Sequence, residues 1–186
     1  MALRKGSAYS KRYARPYTRV SKKRTKSYIK AVPNPHIVKF KMGDIKGFDS
    51  GKYPIQIQII SKDNCQVRDN SIEAVRQFLN RFLQVELGKE FYLQVCVYPH
   101  HILRENKMLT GAGADRMQTG MSRAFGKTVG RAALVKPNQK IYIVGIKNKK
   151  AEAKARKLIR SIKSRLACRV TTETTRTPIK KVEPRA

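Results

Sequence analysis

A few residues in this sequence have side chains suited to chemistry, and each group can be held against the spacing that chemistry requires. His100 and His101 are imidazoles fit for metal ligation or proton transfer. Neighbours on an extended chain point opposite ways, so the pair cannot grip one ion together. Neither an HExxH pattern nor a nearby cysteine supports a metal. One packed histidine and one facing RNA or solvent is the preferred reading. Glu105 and Asp115 have the type needed for hydrolysis, but both sit among cations, where salt bridges are the simpler outcome. Gly120 and Gly126-Lys127-Thr128 resemble the end of a P-loop, yet five residues separate the glycines where the motif needs four. Gly111-Ala112-Gly113-Ala114-Asp115-Arg116 begins like a dinucleotide fingerprint, but Arg116 stands where the third glycine must be. Cys65, Cys96 and Cys168 form no CxxC pair, which points to reduced thiols rather than a disulfide framework or zinc. The expectation is no catalytic set, no metal, no cofactor and no small-molecule substrate.

What remains is charge. The 186 residues carry 42 Lys+Arg against 12 Asp+Glu, a formal net charge of +30. So much self-repulsion calls for an anionic partner. The excess is not uniform. Residues 1–43 hold 13 basic residues and no acid, whereas residues 44–100 hold 7 of each sign. Residues 101–150 hold 11 basic and 2 acidic residues, and residues 151–186 hold 11 and 3. Charge kept only for solubility would be expected on most faces. Concentration in an arm, a loop and a helix instead fits phosphate backbones. A membrane is a poorer partner, because no apolar run approaches a spanning helix and the arm has no large apolar face. The N-terminus also lacks the apolar segment of a secretory signal.

Residues 1–35 read as an extended arm. Its RNA-contact candidates are Arg4, Lys5, Lys11, Arg12, Tyr13, Arg15, Tyr17, Arg19, Lys22, Lys23 and Arg24. Cations interleaved with tyrosines suit phosphate contact plus stacking. A basic tail without fixed structure, or a localisation signal, is the alternative. Pro16 and Pro33-Asn34-Pro35 interrupt any long helix.

Residues 36–174 must supply the folded body. His36 to Phe40 and Ile55 to Ile60 alternate like strands. Asp69-Asn70-Ser71 offers caps for a helix over 71–87, in which Ile72, Val75, Phe78, Leu79, Phe82 and Leu83 make one apolar stripe. Gly88 is placed to end it. Strands are expected over 91–98, 129–135, 140–146 and 168–174, with a second helix over 151–166. That helix turns Ala155, Leu158, Ile159 and Ile162 inward and Lys154, Lys157, Lys163 and Arg165 outward. Strand–helix–strand thus occurs twice. The expected class is α+β, a two-layer sandwich of two helices on a mixed or antiparallel sheet. Residues 175–186 read as a basic C-terminal tail.

Residues 99–128 stand apart as a long loop rich in Gly and Ala. A loop of that length inside a compact domain is usually functional. Its candidate contact residues are Arg104, Lys107, Met108, Gly111, Gly113, Arg116, Arg123 and Lys127. Met108, Met117 and Met121 suit either a partner surface or packing within the loop.

The run from His101 to Met121, followed by Arg123-Ala124-Phe125-Gly126-Lys127, resembles the central loop of a ribosomal protein family. This is the archaeal and eukaryotic large-subunit family L-ten-e, whose bacterial counterpart is L-sixteen. The likeness extends to Arg15-Pro16-Tyr17-Thr18, Val32-Pro33-Asn34-Pro35 and the 71–87 helix, nearly the whole chain. Leu109-Thr110-Gly111 and the short C-terminus look archaeal. The resemblance implies a hammerhead-type two-layer fold and binding to large-subunit rRNA near the tRNA corridor. It implies a loop reaching toward the peptidyl transferase centre between A-site and P-site tRNA, with Lys107 to Arg116 at the tip and Arg123 and Lys127 at the base. Neighbouring ribosomal proteins would be further partners, the location cytoplasmic and ribosome-bound, and the role structural rather than enzymatic. A free-standing RNA-binding protein is the alternative.

Overall fold

The computed structural model describes residues 25, 29, 31–118 and 126–176. The arm candidates from Arg4 to Arg24, the loop candidate Arg123 and Met121 lie outside the described residues.

Strands form where alternation and β-branching are strongest. They are β1 (Lys41–Gly43), β2 (Ile55–Ser61), β3 (Cys65–Arg68), β4 (Phe91–Val95), β5 (His101–Glu105), β6 (Lys127–Val135), β7 (Lys140–Ile146) and β8 (Val170–Arg176). Helices are α1 (Ile45–Asp49), α2 (Asp69–Leu87), α3 (Ala114–Met117) and α4 (Lys149–Ile162), the last running into a short 3-10 turn (Lys163–Arg165). The class is α+β, as expected. The sheet is divided in two, both parts antiparallel: five strands in the order β1-β4-β7-β2-β8, and three in the order β3-β6-β5.

The larger sheet carries the core. β2 lies between β7 and β8, and Ile55, Ile57, Ile59 and Ile60 are all buried. Its buried Gln58 is satisfied by donating to Thr175 Oγ1 at 3.3 Å. α2 buries Ile72, Val75, Leu79 and Leu83, and α4 buries Ala155, Ile159 and Ile162. Each of the larger side chains contributes about 1.5–3 kcal/mol on leaving water. The two phenylalanines of the expected stripe behave differently. Phe82 remains 38% exposed, and Phe78 lies under the Arg165 guanidinium, 4.4 Å from its ring centroid. Both sit at the margin of the buried stripe, where a cation can cover them. Tyr142 of β7 ties sheet to helix by donating its buried hydroxyl to the Ile72 carbonyl at 2.7 Å. Burial holds that phenol well above its ordinary pKa.

Several boundaries differ from the sequence reading. Residues 36–40 form no strand, and pairing begins at Lys41. The backbone N–H groups of His36 and Val38 instead donate to the carboxylates of Asp69 (3.1 Å) and Glu73 (3.4 Å). α2 begins at Asp69 with Arg68 as N-cap and no side-chain cap. The expected capping carboxylate is thus inside the first turn, where it meets the helix dipole and holds the 36–38 segment. Gly88 ends α2 at φ 63°, as expected. β4 stops at Val95 instead of Tyr98, and β8 extends to Arg176, into the segment read as tail. β3 and α1 have too little periodicity to show in the sequence.

The three cysteines are free. Cys65 and Cys168, distant in sequence, come together beside Ser61, whose Oγ lies 3.9 Å from Cys65 Sγ. The neighbouring Cys168 thiol and burial both push the Cys65 thiol upward.

Candidate RNA interface

The long loop is shorter than its sequence suggests. Its first part is strand β5, and β6 begins at Lys127, two residues before the expected start. The two pair as a hairpin, with Arg104 opposite Thr128 and Glu105 opposite Lys127. Residues 106–126 form the connection. Arg104 is therefore a strand residue at the neck, where its Nη1 donates to the Gly126 carbonyl at 3.2 Å.

Glycine is required at that neck. Gly126 has φ +71°, and a Cβ there would lie 2.6 Å from the Glu105 carbonyl carbon and 2.7 Å from the Asn106 nitrogen. Farther out the requirement changes. Gly111 and Gly113 also have positive φ, but a Cβ on either would meet nothing within 4 Å among the described residues. They are glycines for their backbone conformation. Gly113 starts the single turn of α3, with the N–H groups of Arg116 and Met117 donating to its carbonyl.

Gln118 holds the two limbs of the connection together. Its Oε1 accepts from Leu109 N at 2.6 Å, and its Nε2 donates to the Lys107 carbonyl at 3.3 Å. Only the fold reveals this role, because the partners lie nine and eleven positions away. Lys107, Met108, Arg116, Met117 and Lys127 are exposed. Met117 at 78% and Met108 at 58% do not pack within the described loop. Thus Arg104 and Lys127 share the neck, while Lys107, Met108, Gly111, Gly113 and Arg116 share the outer part.

The root of the arm is also fixed here. Thr128 Oγ1 donates to the Ala31 carbonyl at 2.9 Å, and Arg131 Nε donates to the Pro33 carbonyl at 2.6 Å. With Asp69 and Glu73 on the other side, residues 31–38 are held between the hairpin and α2. No local sequence signal marks Thr128 or Arg131 for this, since each partner is almost a hundred positions away.

The two signs of charge are used differently. Most acids of residues 44–100 are engaged internally. Asp44 accepts from Gly47 N and from the Tyr53 hydroxyl. Its carboxyl is held low chiefly by the Gly47 hydrogen bond. Burial and Asp44 push the Tyr53 phenol up to about 12. Asp63 binds Arg169, and Glu86 binds Lys154 at 2.7 Å. Glu73 binds Arg76 and Gln77, and its carboxyl lies below the ordinary value chiefly because of Arg76. By contrast, Lys149, Lys150, Lys157, Arg160 and Lys163, exposed on α4 and the turn after it, form no salt bridge among the described residues. Cations held in no salt bridge on a helix can follow a phosphate backbone.

Among the described residues, no three His, Cys, Asp or Glu side chains gather to hold a metal, and no helix is long and apolar enough to cross a membrane. His101 is buried and His100 exposed, matching the split expected for the adjacent pair.

Comparison with known proteins agrees with the loop resemblance. The chain is 42% identical over 172 residues to the large ribosomal subunit protein uL16 of Methanococcus maripaludis, covering 91% of this chain and 94% of that one. It is 39% identical over 167 residues to the uL16 of Staphylothermus marinus, covering 89% and 90%. It is 43% identical over 134 residues to the uL16 of Methanoculleus marisnigri, covering 70% and 76%. A family model described as ribosomal protein L16p/L10e matches residues 15–172, spanning the end of the arm, both sheets and the loop, and the chain belongs to that ribosomal protein family.

Proposed function

We propose that this protein is a structural constituent of the large ribosomal subunit. It binds rRNA through its arm and the outer face of α4, and its loop reaches toward the peptidyl transferase centre to help position A-site and P-site tRNA. Family membership supports the ribosomal role. The observation that carries the finer reading is the hairpin itself. A braced neck at Arg104 and Gly126 leads to an outer loop with exposed Lys107 and Arg116 and two glycines of positive φ. Such a projection can enter a space lined with RNA, where its cations screen converging phosphates.

The division of labour follows from the fold. The body positions, the arm anchors, and the loop reaches. Arm residues such as Arg12, Tyr13, Arg15 and Tyr17 would make phosphate and stacking contacts as rRNA assembles around them. Neighbouring ribosomal proteins are further partners, and the role is structural rather than catalytic.

The test has two stages. The full chain should co-sediment with the large subunit on a sucrose gradient at low magnesium and moderate salt. Its absence from that peak would favour the free-standing RNA-binding alternative. Replacing residues 107–125 by a short Gly-Ser turn should then leave subunit association intact while impairing tRNA accommodation. Normal accommodation with the shortened loop would remove the loop from the mechanism.

A further inference from the structure

Between β4 and β5 the chain crosses from the larger sheet to the smaller one, and there it builds a short ladder of rings. Phe40 stacks on Tyr98 with centroids 5.5 Å apart and planes 21° apart. Tyr98 in turn contacts the imidazole of His100, with centroids at 4.5 Å and planes tilted by 46°. Tyr98 is the shared member. Phe40 is half-buried against the core, while Tyr98 is 41% exposed and His100 is exposed. The ladder therefore runs outward from the core and ends on an open imidazole.

Its backbone is fixed. Val95 N donates to the Phe40 carbonyl at 2.8 Å, and His100 N donates to the Tyr98 carbonyl at 3.1 Å. Pro99 between them is buried. A cation is fixed beside it too. Arg131 Nη1 lies 3.3 Å from the Tyr98 hydroxyl, while Nε is held by the Pro33 carbonyl. Both partners of Arg131 are neutral, and it forms no salt bridge among the described residues, so its charge stays uncompensated at the ladder.

We propose that the outer face of His100, at the end of the Phe40–Tyr98 stack and beside Arg131, is a docking site for one unpaired RNA base. An imidazole held against the Phe40–Tyr98 stack, its plane tilted 46° from that of Tyr98, offers a flat face with little conformational freedom left to lose, and a base has the matching face. Arg131 then lies within reach of the adjoining phosphate. Unpaired RNA is favoured over a protein side chain because the cation has no acid to pair with here, and a nucleotide brings both a ring and a negative charge. The site lies on the hairpin that leads through Arg104 and Lys127 to the loop, so the base would belong to the strand that the hairpin follows. This rests on the ribosomal reading above and names one contact within it.

The stack can be tested apart from the ribosome. Full-length protein is titrated into a short single-stranded oligoribonucleotide carrying 2-aminopurine, at about 0.3 M salt to subdue nonspecific phosphate binding. His100→Ala should weaken binding about tenfold and reduce the fluorescence quenching, and His100→Phe should restore both. Equal affinity and equal quenching for wild type and His100→Ala would overturn the proposal. In assembled large subunits, ultraviolet cross-linking should then attach a nucleotide to Tyr98 or His100. A cross-linked peptide there instead would show that a protein neighbour covers the ladder, and would also overturn it. Failure of the wild-type chain to enter the subunit would count against the ribosomal reading, while the oligoribonucleotide result would still decide the stacking site.

Discussion

The five-stranded sheet with α2 and α4 differs from the β5–β6 hairpin and its connection in how charge is handled. Around the sheet, carboxylates are drawn into hydrogen bonds and ion pairs, as with Glu73 on Arg76, Gln77 and the backbone of Val38. On the outer loop, Lys107 and Arg116 stand in solvent beside exposed Met108 and Met117. Carboxylates in the first region hold the fold, whereas the loop cations stand in solvent. A substitution at one of those carboxylates should therefore be read in stability, and one in the loop or on the outer face of α4 in RNA binding.

The sharpest way to break this contrast is at Glu73. Removing it leaves the buried Arg76 guanidinium without its carboxylate, and Glu73→Ala should cost about 3–5 kcal/mol in chemical denaturation. A cost near zero would mean that the body's charges are as dispensable as the loop's. The pair also sets a pH limit. The Glu73 carboxyl is held below its ordinary 4.5 chiefly by Arg76, so ionisation favours the folded state. Its stabilisation is fully present above pH 4.5 and is lost as pH falls through the lower folded-state value. Glu73→Gln should flatten that acid limb.

Next in size is Gly126→Ala, at the junction of the two regions. A positive φ and a clash with the backbone of Glu105 should together cost about 2 kcal/mol, seen as faster amide exchange in β5 and β6. The same change at Gly113, where a Cβ would meet no described residue within 4 Å, should cost only the conformational part, about 1 kcal/mol. Equal costs would deny that the neck is braced differently from the tip.

The smallest effects on stability should come from the exposed cations. Lys107→Gln with Arg116→Gln should change folding by less than about 0.5 kcal/mol. If each contacts a phosphate, each loss should lower the salt slope of RNA binding by about 0.7–0.9. Removing residues 1–30 deletes 11 Lys and Arg and should reduce the slope far more. An unchanged slope in either case would leave that region without a phosphate partner.

The elements legible in the sequence were those whose pattern is local. The alternation of β2, the residues of β7, the apolar stripe of α2 and Gly88 at its end all show in short windows. Phe82 misled, because a helical stripe does not reveal where its margin meets solvent. The division into two sheets was hidden, since β3 is four residues long and its register with β6 is set by tertiary packing. At the interface, the loop cations and glycines were visible from composition. Gln118, Thr128 and Arg131 were not, because a neutral amide, a hydroxyl or one more arginine signals nothing until the chain brings a carbonyl to it.

The grip on residues 31–38 has a consequence for order of events. One side of the grip comes from Asp69 and Glu73 on α2, the other from Thr128 and Arg131 on the hairpin. Neither side alone holds the whole segment, since His36 and Val38 depend on α2 while Ala31 and Pro33 depend on the hairpin. Full restraint of residues 31–38 exists only once α2 and the hairpin are both in place, as the output of an AND gate depends on both inputs. A half-folded chain would hold only one end of this segment, so the grip couples its fixing to completion of the body.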